Sequence, residues 1–63
     1  MSTLENYVAG VRKDLFRLAR EMIDNDEPDC AIALLGAERA IVHAEDVMSQ
    51  NGIDLATPFT PSI

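Results

Sequence analysis

Cysteine and histidine occur once each in the 63 residues, and tryptophan is absent. A single cysteine, Cys30, excludes an internal disulfide. One cysteine with one histidine, His43, cannot furnish a structural zinc site. Basic residues are scarce too, five against eleven acidic ones, for a formal net charge of −6. That balance argues against general nucleic-acid or anionic-membrane binding and suits recognition of a basic surface. Long apolar runs are also missing. The stretch from Cys30 to Ala37 is far too short to span a bilayer. Met1 leads straight into Ser2-Thr3-Leu4-Glu5 with no basic start and no apolar run, so no signal peptide is expected. A lone cysteine fits a reducing, cytoplasmic setting.

The same scarcity bears on chemistry. No Ser–His–Asp set, Gly-rich phosphate loop or pair of carboxylates in a cleft can be assembled from these residues. The acidic cluster Asp24, Asp26, Glu27 and Asp29 lacks the alternating oxygen ligands and distal Glu of a calcium loop, and Pro28 interrupts it. Its carboxylates read as helix caps. Glu45 and Asp46 neighbour His43 in sequence but lie on other helix faces, which places His43 at the edge of an interface rather than at a phosphoacceptor site. A lone hairpin is not expected to offer a concave pocket of a few hundred cubic ångströms. The expectation is a protein that is not an enzyme and has neither metal nor cofactor.

What the sequence does carry is helical periodicity. Leu4, Val8, Val11, Leu15, Leu18 and Met22 follow one another at steps of four and three, as do Cys30, Leu34, Ala37, Ile41, Ala44 and Met48. Ser2 and Glu5 fit a capping box at the start of the first run. Asn25 to Pro28 forms the break, with Asp26 or Glu27 as the next cap and Pro28 in the first turn of the second helix. Gly52 can take left-handed dihedrals and stop that helix, with Ile53 packing back on its last turn. So short a connection implies an antiparallel hairpin. Facing the two seams across such a hairpin pairs every member at a constant total of position numbers, from Met22 with Cys30 to Leu4 with Met48. The fold expected is all-α: residues 1–53 as a helical hairpin (helix 3–24, turn 25–28, helix 28–50) and residues 54–63 as an extended, Pro-containing tail.

The second helix carries more apolar surface than one neighbour can cover. Ala33, Ala40 and Val47 flank its seam on one side, Leu35 and Val42 on the other, and only Glu38, Arg39, Glu45 and Asp46 form a solvated strip. A chain of this length is marginal alone, and with disulfide and metal excluded, association is the remaining way to stabilise it. The hairpin is therefore expected to dimerise into a four-helix bundle or to bind a larger protein. The surface expected for this comprises Phe16, Ala19 and Ile23 of the first helix and Ala33, Leu35, Gly36, Ala40, Val42 and His43 of the second. Gly36, costly inside a helix, would allow close backbone approach. Leu55, Phe59 and Ile63 are the points by which the tail could dock.

The alternative partner is RNA, through the basic strip Lys13, Arg17 and Arg20. The bland reading of that strip is a solvated face with Arg17–Glu21 and Arg20–Asp24 ion pairs at four-residue spacing. In layout, and at the Ile23-Asp24-Asn25-Asp26-Glu27 turn, the chain resembles the plasmid-encoded Rop regulator. That protein is a short hairpin that dimerises into a four-helix bundle and binds paired RNA loops. The acidic balance and the Pro-containing tail depart from it. Residues 25–40 also resemble half a tetratricopeptide repeat, but one unit cannot form a solenoid. The function these readings favour is a small regulatory inhibitor or adaptor of the kind carried by phages or other mobile elements. An RNA-binding bundle or a structural subunit of a larger assembly stand as alternatives.

Overall fold

A computed structural model describes residues 3–59. It contains two α-helices, α1 (Leu4–Asp24) and α2 (Pro28–Gln50), packed against each other as a hairpin. Among the described residues there is no β-strand, only an isolated antiparallel bridge between Thr3 and Pro58. The molecule measures 40 × 24 × 17 Å, so its thin dimension is that of a single layer of helices.

α1 begins one residue later than the sequence pattern implied. The cap is Thr3, whose Oγ1 accepts from the Asn6 amide at 3.1 Å; Ser2, expected in that role, lies outside the described residues. At the other end of α1 the chain closes with a Schellman turn. The Glu27 amide donates to the Met22 carbonyl at 2.7 Å and the Asp26 amide to Ile23 at 3.0 Å. Asp26 holds the left-handed conformation this turn requires, with φ of 60°. It therefore ends α1 instead of capping α2, whose cap position falls to Glu27 without a side-chain bond. α2 ends in the same way: Ile53 donates to Met48 at 2.9 Å and Gly52, at φ 78°, to Ser49 at 3.1 Å. In both turns the preceding asparagine, Asn25 or Asn51, donates from its side chain to the carbonyl four residues back.

The helices meet along a line rotated from the apolar seam. Val8, Ala19 and Ala31 are the buried apolar residues, the two alanines only 2% exposed. Leu18, Cys30 and Ala37, expected inside, are exposed. The cause is Arg12. Its Nε donates to Glu38 Oε1 at 2.8 Å across the helix pair, and Nη1 lies 3.6 Å from Glu45 Oε1. Turning α2 so that Glu38 and Glu45 reach Arg12 turns Cys30 and Ala37 outward. Glu38 is 7% exposed and Glu45 half-buried, so neither belongs to the solvated strip expected of them, whereas Arg39 and Asp46 do. Ala19 and Ala31 complete the new line because small side chains let the helices approach near the turn.

Residues 54–59 fold back on the start of α1. Asp54 closes a turn, its Oδ1 accepting from the Ala56 amide at 2.9 Å and its carbonyl from Thr57 at 3.0 Å. The Leu55 and Thr57 carbonyls then accept from the Glu5 and Leu4 amides at 2.8 and 2.9 Å. These are first-turn amides that have no partner inside a helix. The rings of Tyr7 and Phe59 stack at a tilt, centroids 4.9 Å apart.

Candidate functional site

Among the described residues Val8, Ala19 and Ala31 are the buried apolar ones, and eight large hydrophobic side chains are exposed. The most exposed large hydrophobic side chains among the described residues are Ile32 at 68%, Ile23 at 60% and Phe16 at 49%. Ile53, Leu18, Tyr7, Val47 and Leu35 are also exposed. Helical spacing sorts these into separate surfaces. Phe16 and Ile23 border the side of the hairpin where Arg12 crosses to Glu38, together with Leu35 and half-buried Val42. Ile32, Ala33, Gly36, Ala40, His43 and Val47 form the outer face of α2, turned away from α1. Leu18, Cys30 and Ala37 occupy the remaining side.

The residues expected to form one interface are thus divided. Phe16, Ile23, Leu35 and Val42 share the first surface, whereas Ala33, Gly36, Ala40 and His43 share the second. Ala19 belongs to neither; it is buried between the helices and closed to any partner. Sequence reasoning passed over Ile32, the most exposed large hydrophobic residue among those described. The signal was available, because Ile32 lies one turn before Gly36 and one residue before Ala33.

Where the two surfaces meet there is an open groove of about 300 Å³ lined by Ile32, Leu35, Gly36 and Arg39. A concavity of this size was not expected of a lone hairpin. Gly36 lines it without a side chain, and a Cβ built there would meet nothing within 4 Å. Arg39 supplies the one ionisable side chain of the lining, so the groove holds no acid–base or nucleophile–base pair. Among the described residues, no group of three His, Cys, Asp or Glu side chains is placed to hold a metal ion, and no helix is long and apolar enough to cross a membrane.

Lys13, Arg17 and Arg20 are all exposed along α1. The ion pairs expected between Arg17 and Glu21 and between Arg20 and Asp24 are not formed; among the described residues Arg12 makes both salt bridges. Leu55 and Phe59 of the tail are half-buried, and Ile63 lies outside the described residues. Compared with known protein families, curated proteins and solved structures, the chain matches none.

Proposed function

We propose that the chain is a small non-enzymatic regulator, an inhibitor or adaptor, that docks an apolar helix face onto a larger protein and pairs with a second copy to form a four-helix bundle. The observation that carries this reading is the exposure of Ile32, Ile23 and Phe16 on a molecule one helix layer thick. Exposed apolar surfaces of this kind mark contact sites. The outer face of α2 suits the larger protein, since Ile32 beside the Gly36 groove offers an anchor and a recess in one helix turn. Such a protein acts in a reducing, cytoplasmic compartment, where exposed Cys30 stays unpaired. Its small size and acidity suit a phage or other mobile element.

The test is affinity purification with the parent chain and with Ile32→Glu, read by mass spectrometry. A partner retained by the parent and lost by the variant supports the reading. A partner retained equally by both removes the outer face of α2 from it. Truncation after Gly52 asks the same of the tail.

RNA binding is the second reading, favoured by the exposure of Lys13, Arg17 and Arg20 and by their absence from any ion pair among the described residues. It requires RNA affinity that falls steeply with salt. Arg17→Glu with Arg20→Glu would abolish that affinity; unchanged binding would eliminate the reading.

A further inference from the structure

Two lines of residues at seven-residue spacing run along the side of the hairpin where Arg12 crosses to Glu38. Ala9, Phe16 and Ile23 lie on α1, and Pro28, Leu35 and Val42 lie on α2. A seven-residue step keeps successive side chains nearly on one line of a helix. The rotated pairing of the helices, fixed by buried Ala19 and Ala31 and by the Arg12–Glu38 bridge, sets these lines level with each other. By the register of that bridge, Ala9 lies near the level of Val42, Phe16 near Leu35, and Ile23 near Pro28. The result is a face of three apolar layers with its largest pair in the middle and the partly open Arg12 side chain between the Ala9 and Phe16 layers. Val42 is half-buried and the other five are exposed.

We infer that this face is covered by a second copy of the chain, with a two-fold axis through the Phe16–Leu35 layer and the two turns pointing in opposite directions. The inference rests on the self-association part of the proposed function and specifies its geometry. Three observations select this occupant. The first is area. The chain exposes 4907 Å², whereas a compact monomer of its size would expose about 4,000 Å². The surplus, spread over the whole chain, is of the order of the roughly 800 Å² that each partner of a standard interface buries.

The second is self-complementarity, the condition a two-fold interface imposes. Rotation about the central layer lays Ala9 and Val42 against Ile23 and Pro28 of the other copy, small against large on α1. The central layer meets itself. The third is charge. The turn holds Asp24, Asp26, Glu27 and Asp29, all exposed. Placing both turns at one end would gather eight carboxylates there, and opposite directions separate them. The arrangement leaves Ile32 and the outer face of α2 open.

Sedimentation equilibrium on the full chain tests the occupant, and cross-linking tests the geometry. Phe16→Ser is expected to weaken dimerisation about tenfold or more. It should leave helix content unchanged, since Phe16 is not among the buried residues. In a Cys30→Ser background, a short bis-maleimide is expected to join an Ala9→Cys chain to an Ile23→Cys chain in a mixture and to join neither to itself. Leu35→Cys, on the axis, should join to its own copy. A parent chain that stays monomeric at submillimolar concentration overturns the inference without touching docking onto a larger protein. A dimer indifferent to Phe16→Ser overturns the face. Coupling of Ala9→Cys to Val42→Cys of another chain overturns the axis, because it places both turns at one end.

Discussion

Arg12→Met is the substitution most informative about how this hairpin holds together. It keeps the length and apolar stem of the side chain and removes the charge that faces Glu38 and Glu45. Glu38 is 7% exposed and accepts from Arg12 at 2.8 Å, so the variant strands a carboxylate between two helices. Losing one partner of a fully buried pair costs about 3–5 kcal/mol. The Arg12 side chain keeps 38% of its surface open, so water replaces part of the guanidinium, and the expected cost is about 2–3 kcal/mol. Against a total stability on the order of 3–9 kcal/mol for a chain of 63 residues, that is a large fraction. Arg12→Met with Glu38→Met removes both charges and should return to within about 1 kcal/mol of the parent. Urea unfolding followed by far-UV circular dichroism measures the cycle. It should be run in the Phe16→Ser background at one protein concentration, so that association does not enter. An Arg12→Met chain within about 0.5 kcal/mol of its parent, the scatter of ordinary surface changes, would refute the assignment of the bridge as the contact that sets helix rotation.

Other substitutions probe the remaining features. Asp26→Gly should stabilise by about 0.5 kcal/mol, because glycine holds the left-handed turn without strain at some cost in unfolded-state entropy, and Gly52→Ala should destabilise by about 1 kcal/mol; both are read from thermal unfolding. Ala19→Leu should cost about 2 kcal/mol or more by overpacking the close approach of the helices, while Leu18→Ala should cost under about 1 kcal/mol, and the reverse order would restore the unrotated seam. Phe59→Ala should speed hydrogen exchange at the Leu4 and Glu5 amides more than at mid-helix amides, since the tail supplies their acceptors.

The elements themselves were legible. Steps of four and three announced two helices, Pro28 and Gly52 marked a start and a stop, and the short link made them a hairpin. Rotation was not legible, because a rule that places apolar residues inside cannot see a charge pair worth burying. Glu38 and Glu45 stand one heptad apart among Leu34, Ile41 and Met48. That spacing was the available hint that the carboxylates share the inner face and need a cation opposite. Arg12 lies one position before the basic strip, where nothing in the local pattern distinguishes it. Of the two residues that read as caps, Glu27 holds the position and Asp26 does not, because its left-handed role depends on the helix before it. The exposed face was half legible. Phe16, Ile23 and Leu35 followed from the second apolar edge of each helix, whereas Ile32 and the groove depended on knowing which way α2 is turned.

The fastening of Leu55 and Thr57 onto the amides of Leu4 and Glu5 has a consequence for timing. A chain is made from its amino end, so the opening turn of α1 leaves the ribosome with those donors bonded only to water. They acquire protein acceptors once the hairpin and the segment beyond it have emerged. The opening turn of α1 is therefore synthesised before the acceptors that complete it.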